Sequence, residues 1–321
     1  MHIDWRPVLN AWMSNLKPDA DAAIRGRLTS TRREAATKRS LRKDRSKPAF
    51  QLDQYYTDKD VAAQLYHNCH RFMNLSLYQT VEPSAGTGSF SDLMPPCRLA
   101  FDLEPKGEGI TKSDFFETEI QSERGIVFIG NVPFGRNASI AIRFFNHAAK
   151  QAVFIAFILP MSFRKISIIN RLDPNFHLIH DETVKSNAFV LDSEIFDVPT
   201  VFQIWERRPV LRALIEGEIK HPDFEFTTKD RADFAIQRVG ARAGLILDEF
   251  SARPPSSHYF IRGDVKGAMA ELEPQFRRAA ANVTGNPSLA KTEIVAPYRK
   301  WVEAGGQTRA VLTSSADPFT D

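Results

Sequence analysis

Two cysteines, Cys69 and Cys97, are all that the 321 residues contain, with no Cys-x-x-Cys pair and no histidine cluster at metal-ligand spacing. That scarcity argues against a structural zinc site or a disulfide framework and fits a reducing compartment. Long apolar runs are missing too. The longest, near Val153–Leu159, has the length of a buried strand and falls far short of the roughly 20 residues a membrane span needs. The N-terminus lacks the charged-then-apolar pattern of a secretory signal, and no internal repeat is present. The expectation is a cytoplasmic protein with no bound metal and no membrane partner.

What is present is ordinary in bulk and uneven in detail. Hydrophobic residues make up 43% and charged residues 25%, as in a globular protein with a sizeable core. Phenylalanine is abundant, at 24 residues. The formal net charge of +3 hides an asymmetry, because residues 1–50 hold 12 Lys and Arg against 5 Asp and Glu. The rest of the chain is net acidic. The basic excess lies in Arg25–Lys47, a segment suited to a polyanion through counterion release, or else a solvated tail.

The apolar spacing of Trp5, Val8, Leu9, Trp12, Met13 and Leu16 predicts a short amphipathic helix ahead of that segment. From about Gln54 strands and helices alternate. Asp58–Met73 reads as a helix with Asp58 as N-cap, and Ser139–Lys150 as another. Strands are expected at Tyr78–Glu82, Arg98–Leu103, Ile126–Ile129, Ala152–Leu159 and Val201–Trp205. Near-continuous apolar strands between helices point to an α/β fold, a mostly parallel sheet covered on both faces. After Arg208-Pro209 the pattern weakens, with strands expected at Asp233–Gly240 and His258–Ile261. The organisation expected is a basic helical arm over 1–50, a core over 51–210, a small α+β element over 211–304 that is a candidate for substrate recognition, and a disordered tail over 305–321.

Glu82-Pro83-Ser84-Ala85-Gly86-Thr87-Gly88 follows the first core strand. Its glycines allow a tight turn and a close approach of backbone to a ligand. The next strand ends in Asp102, placed to accept hydrogen bonds from both hydroxyls of a ribose. Ser113-Asp114-Phe115-Phe116 then offers an acceptor for an adenine amino group with apolar neighbours to flank the ring. Asp102 and Asp114 also suit strand-end or helix-cap roles, and glycines of this kind also serve dinucleotides and phosphates. The full Gly-x-Gly-x-x-Gly spacing and a Gly-Lys-Ser/Thr sequence are both absent.

In this order the Pro-Ser-Ala-Gly-Thr-Gly turn, Asp102 and Asp114 resemble the cofactor motifs of class I S-adenosylmethionine-dependent methyltransferases, with a Rossmann-like core of seven mostly parallel strands. Gln54-Tyr55-Tyr56-Thr57-Asp58 resembles the motif that precedes this core in amino-methylating DNA enzymes. The resemblance implies that Tyr56, Thr57, Glu82, Ala85, Gly86 and Gly88 line the methionine side of S-adenosyl-L-methionine. It gives the ribose to Asp102 and the adenine to Asp114, with S-adenosyl-L-homocysteine as product.

Asn131-Val132-Pro133-Phe134-Gly135 stands directly after a buried strand, where an open α/β sheet faces its ligand crevice. An exocyclic amino nitrogen is a poor nucleophile because its lone pair is delocalised into the ring. The Asn131 side-chain oxygen and the Val132 carbonyl suit the two amino hydrogens, and Phe134 suits stacking on a base. The segment resembles the Asn-Pro-Pro-Tyr/Phe motif of amino methyltransferases, with Val132 in place of the first proline. Ribosomal RNA adenine dimethyltransferases carry an aliphatic residue there, whereas Gly135 and the residues after it resemble the DNA-type enzymes. Asn131, where cytosine-N4 enzymes usually have serine, points to adenine. Leu159-Pro160-Met161-Ser162-Phe163 resembles a segment of bacterial and phage DNA adenine methyltransferases. Phe196 is the candidate for a second aromatic face on the base, or a core residue. The implied partner is nucleic acid, DNA ahead of RNA. An RNA adenine methyltransferase, a protein-glutamine methyltransferase and a non-catalytic nucleic-acid-binding subunit are the alternatives.

Overall fold

The structure is a computed structural model that describes residues 55–191, 194–283 and 285–306. The Trp5–Leu16 helix, the Arg25–Lys47 segment, Gln54 and nearly all of the expected tail lie outside the described residues.

The chain enters through a short strand, Tyr56–Thr57 (β1), and a helix, Lys59–Cys69 (α1). Asp58 caps α1 as its sequence position predicts, its carboxylate accepting from the N–H groups of Asp60 and Val61 at 3.1 Å, which satisfies two donors a helix start leaves open. The helix stops short of the predicted end at Met73. Then come Gln79–Glu82 (β2), Leu99–Asp102 (β3), Thr111–Lys112 (β4), Ile126–Asn131 (β5), the helix Ser139–Ala148 (α2), and Ala152–Pro160 (β6). A single helical turn, Ile166–Ile169 (α3), leads to Phe176–Thr183 (β7), and a hairpin of Phe189–Leu191 (β8) and Glu194–Phe196 (β9) to Thr200–Arg207 (β10).

Seven of these strands form one sheet in the order β4-β3-β2-β5-β6-β10-β7. The first five are parallel, and β10 runs antiparallel to both β6 and β7. This is a seven-stranded, Rossmann-like α/β sheet, mostly parallel as the alternation predicts and with the strand number that the resemblance implies. The side-chain alternation of each strand divides the core in two. One face packs Phe128, Ile155, Phe157 and Val201 against Ala141, Ile142 and Phe145 of α2. The other packs Val127, Ile129, Ala156, Ile158 and Phe202 against Val61, Leu65 and Tyr66 of α1. Strands buried on both faces must be apolar throughout, which is why Ile126–Ile129 and Val153–Leu159 read so clearly.

Topology fixes where a ligand can sit. From β2 the chain moves outward through β3 and β4, then returns to build β5 and β6 on the other side. The reversal leaves a crevice at the carboxyl ends of β2 and β5, the switch point at which open α/β sheets bind ligands. Glu82 ends β2 and Asn131 ends β5. On the same side, β1 pairs with β8 and β8 with β9 to make a three-stranded flap.

Beyond Arg208 an irregular segment leads to a second sheet, Glu225–Thr227 (β11), Phe234–Gln237 (β12), Ile246–Leu247 (β13) and His258–Arg262 (β14), in the antiparallel order β11-β14-β12-β13. Two helices, Lys266–Ala280 (α4) and Thr292–Glu303 (α5), bury Met269, Leu272, Phe276, Ile294, Val295 and Tyr298 in a core with Phe234, Ile236 and Ile261. An ion pair, Lys165 to Glu293 at 3.0 Å, fastens this element to the turn after β6, helped by Lys165 Nζ donating to the Ser288 carbonyl at 2.9 Å.

Candidate active site

The turn after β2 is organised by two carboxylates. Asp102, at the end of β3, accepts from the Gly86 N–H at 2.8 Å with one oxygen and from the Glu104 N–H at 2.7 Å with the other. The Ala85 N–H donates to the Phe101 carbonyl at 2.9 Å, and Gly88 N–H closes the turn on the Ala85 carbonyl at 2.7 Å. Asp102 therefore does the structural work of a strand-end carboxylate, and each oxygen retains a second lone pair for a hydroxyl donor.

Glycine is required at position 86. Its φ is +53°, and a Cβ there would lie 2.7 Å from the ring carbons of Tyr56. The Tyr56 ring thus rests on the turn and sets β1 beside it. Thr57 is held beside it, its carbonyl accepting from Ser89 Oγ at 2.7 Å. The Thr57 hydroxyl is buried and makes no hydrogen bond among the described residues.

Glu82 sits under the turn, 2% exposed, with one carboxylate oxygen accepting from the Ser91 N–H at 2.7 Å. Burial pushes its pKa up to about 8, against the pull of N–H donors at Ser91 and Phe90, and the negative charge of Asp102 adds to the rise. Gly130 makes room for it: a Cβ there would lie 3.1 Å from Glu82 Cγ. A buried carboxyl of this kind is suited to a cation.

Asn131 carries the most specific geometry. Its amide nitrogen donates to the Tyr55 carbonyl at 2.9 Å. Since that carbonyl can only accept, the amide orientation is set by chemistry, and Oδ1 must point away. Oδ1 is buried and accepts no hydrogen bond among the described residues. A buried amide oxygen without a donor costs about 1–3 kcal/mol, a cost that a bound amino group removes.

Val132 is buried, at 2% exposed, and Pro133 follows half-buried. Phe134 is half-buried where the two halves of the core meet, packing against both. Its carbonyl accepts from Ile140 N–H at 3.1 Å and Ala141 N–H at 3.2 Å, tying the motif to the start of α2. The link between them is strained, with Asn137 and Ala138 both at positive φ, 54° and 61°.

Phe196 lies on β9, and the flap carries it to Tyr55, with ring centroids 5.4 Å apart in an edge-on arrangement. The structure thus joins Phe196 to Asn131 through one residue. Sequence reasoning does not single out Tyr55, because its contribution is a backbone carbonyl. Its place beside Tyr56-Thr57 is the one signal that hints at it.

The Asp114 segment differs from its expected form. Asp114 accepts from the Phe116 N–H at 2.9 Å as the cap of a short turn, so the helix-cap reading holds. Phe115, expected to flank a ligand ring, is 2% exposed and packs on Phe128, Phe144 and His147 in the core. Phe116 is the half-buried one, with the Arg143 guanidinium 4.4 Å from its ring centroid. Both rings pack on Phe144 and His147, and of the two only Phe116 keeps exposed surface with which to meet a ligand.

Among the described residues no helix is long and apolar enough to cross a membrane, and no group of three or more His, Cys, Asp or Glu side chains gathers at metal-binding distance.

No protein-family model matches the chain, and comparison with curated proteins gives no match. Solved structures do resemble it. A protein of Pyrococcus horikoshii assigned as an RNA methyltransferase matches at 16% identity and a TM-score of 0.39, over 50% of this chain and 90% of that one. Magnesium protoporphyrin IX methyltransferase of Synechocystis PCC 6803, crystallised with bound SAM, matches at 11% identity and a TM-score of 0.34, over 47% and 79%. The modification subunit assigned to a type I restriction enzyme of Vibrio vulnificus YJ016 matches at 14% identity and a TM-score of 0.36, over 53% and 48%.

Proposed function

We propose that this protein transfers a methyl group from S-adenosyl-L-methionine to the exocyclic N6 amino group of adenine in DNA. The observation that carries the reading is the buried, unpartnered Oδ1 of Asn131 at the carboxyl end of β5, fixed there by the bond from its amide nitrogen to the Tyr55 carbonyl.

The residues at the switch point fit the cofactor. The unpartnered hydroxyl of Thr57, the buried carboxyl of Glu82 and the Tyr56 ring against Gly86 suit its methionine part. Asp102 and Asp114 each retain acceptor capacity for the ribose and the adenine. When bound, S-adenosyl-L-methionine supplies an electrophilic methyl on sulfonium, which can pass directly to a nucleophile.

The chain's own task is to make an amino nitrogen nucleophilic. Asn131 Oδ1 accepts one amino hydrogen, and the Val132 carbonyl accepts the other. With both hydrogens held, the nitrogen moves towards tetrahedral geometry and its lone pair leaves conjugation with the ring. The acceptors are set in advance where positive charge develops, so little reorganisation is needed in the transition state. Phe134 stacks on one face of the base, and Phe196, carried by the flap, meets it from another side. The half-buried site requires a base that is flipped or unpaired, because the N6 group is out of reach inside a stacked duplex.

Incubation with methyl-labelled donor and either duplex DNA or RNA, followed by digestion to nucleosides, tests the reading. Label in N6-methyladenine from DNA supports it. Label from RNA alone moves the substrate to RNA and keeps the chemistry. No label in either would remove the catalytic reading in favour of a binding subunit.

A further inference from the structure

Positive charge gathers at one end of the C-terminal element, and the backbone shows which segments meet there. The loop after β12 lies between two others. On one side Gly240 N–H donates to the Pro287 carbonyl at 2.9 Å and Leu289 N–H to the Arg238 carbonyl at 2.8 Å. On the other, Gly244 approaches the end of α4 so closely that a Cβ would lie 2.7 Å from the Arg277 nitrogen. These three segments carry Arg238, Arg242, Arg277, Arg278 and Lys291, the four arginines exposed.

Their local partners do not neutralise them. Arg238 lies over the Tyr259 ring, 5.4 Å from its centroid, and Lys291 over Phe226 at 4.6 Å. Arg277 meets Glu273 only at 3.9 Å, while Glu293 is taken by Lys165. Among the described residues Arg242 and Arg278 have no carboxylate within ion-pair distance. Arg277 and Arg278 also complement the carboxyl end of α4, as cations in a last helical turn do. Arg242 sits on a loop and has no such use.

One side chain links these loops to the core. Lys165, bonded to the Ser288 carbonyl in the same loop, follows directly on the turn that closes β6. The β6 residue Ile158 pairs with Asn131. Through Lys165 the loop of Ser288, which the arginine-bearing segment pairs with, is tied to the turn after the strand that pairs with β5.

We infer that Arg238, Arg242, Arg277 and Arg278 form a phosphate-binding surface that holds the nucleic-acid backbone beside the site, a deepening that rests on the nucleic-acid reading above. Guanidinium groups suit phosphate oxygens by geometry as well as charge, and Arg242 and Arg278, exposed and without a carboxylate within ion-pair distance, can meet a phosphate without first breaking an ion pair.

The test compares full-length protein with the Arg242→Ala/Arg278→Ala double variant. Binding to a labelled DNA duplex and to an RNA of the same sequence is measured across salt concentrations, alongside S-adenosylmethionine affinity. Each phosphate that the protein no longer neutralises lowers the salt slope by about 0.9 for duplex DNA. The double variant should therefore show a slope lower by close to two units and an affinity weaker by roughly tenfold at low salt, with cofactor affinity unchanged. A larger effect on RNA than on duplex would assign the surface to RNA. An unchanged slope, or a wild-type protein that binds neither nucleic acid, would overturn the inference. Methyl transfer to a short adenine-containing oligonucleotide, too small to span the surface, separates the surface from the chemistry: if it persists in the variant while duplex binding is unaltered, the surface fails and the catalytic reading stands.

Discussion

The side-chain amide of Asn131 donates to the main-chain carbonyl of Tyr55 at 2.9 Å across 76 residues of sequence, and this one bond leaves the buried Oδ1 facing away from it without a donor among the described residues. It also couples the motif to β1 and, through the Tyr55 ring, to Phe196 on the flap. On the proposed reading, a substitution that moves Tyr55 should therefore disturb methyl transfer without touching Asn131. Tyr55→Pro, which fixes φ, should lower turnover more than Tyr55→Phe, which leaves the backbone alone. Single-turnover rates of the two variants check this; equal rates would mean that the carbonyl is not what orients Asn131.

Asp102 binds two backbone N–H groups in the free protein, so its removal should both loosen the turn and weaken the cofactor. Asp102→Ala is expected to lose about 1.5–3 kcal/mol of cofactor binding for each charged hydrogen bond removed. Asp102→Asn should do little better, because its amide nitrogen would face an N–H donor at Gly86 or Glu104. Calorimetric titration of both variants decides the matter. An asparagine variant with wild-type affinity would show that charge and acceptor geometry at this position are dispensable.

Glu82 gives a pH dependence with a defined sign. Its carboxyl stands at about 8 in the folded chain against an ordinary 4.5, chiefly through burial, with Asp102 the charged neighbour that adds to the rise. Between those values the unfolded chain has released a proton that the folded chain retains. Glu82 therefore costs stability progressively as pH rises from about 4.5 to 8, and no further beyond. Glu82→Gln, which mimics the protonated form, should gain on the wild type across that window in urea midpoints. Cofactor binding reports the same carboxyl: a cationic amino group favours the ionised form, so wild-type affinity should rise with pH up to about 8. Parallel stability curves for the two proteins would show that Glu82 does not titrate there.

Gly86→Ala tests the packing of the turn against β1. The new methyl meets the Tyr56 ring, and the left-handed backbone costs a non-glycine residue roughly 1–2 kcal/mol. Adding Tyr56→Ala should relieve the clash and leave the backbone cost. If the double variant is as unstable as the sum of both singles, the ring does not rest on the turn.

Much of this arrangement is legible in the sequence, and the failures have physical causes. β5 and β6 stand out because burial on both faces demands unbroken apolar runs. The turn after β2 and the Asn-Val-Pro-Phe motif are legible because tight turns and switch points admit few residue types. β7 escapes sequence reasoning: as an edge strand paired only with β10 it carries His177, His180, Asp181 and Glu182, a pattern that hides its period. Asp181 is nonetheless satisfied by Arg164 and by Gln203 Nε2 at 2.7 Å. α4 and α5 escape it because Pro274 and Pro297 stand inside them, and an internal proline reads as a helix boundary. The strand expected over Asp233–Gly240 is shorter in the structure, where β12 spans only Phe234–Gln237. Asp233 instead turns its carboxylate to the Gly263 N–H at 2.8 Å, and Gly240 has a φ of +106°.

The most direct measurement is single-turnover methyl transfer to adenine-containing DNA by wild-type protein and by Asn131→Ala, with cofactor affinity measured on the same samples. Removing an acceptor fixed in advance at a developing charge costs on the order of a hundredfold or more in rate. The prediction is N6-methyladenine formed by the wild type, a loss of that size in Asn131→Ala, and cofactor affinity unchanged between them. Near-normal transfer by Asn131→Ala would contradict the account, whatever the merits of the fold around it.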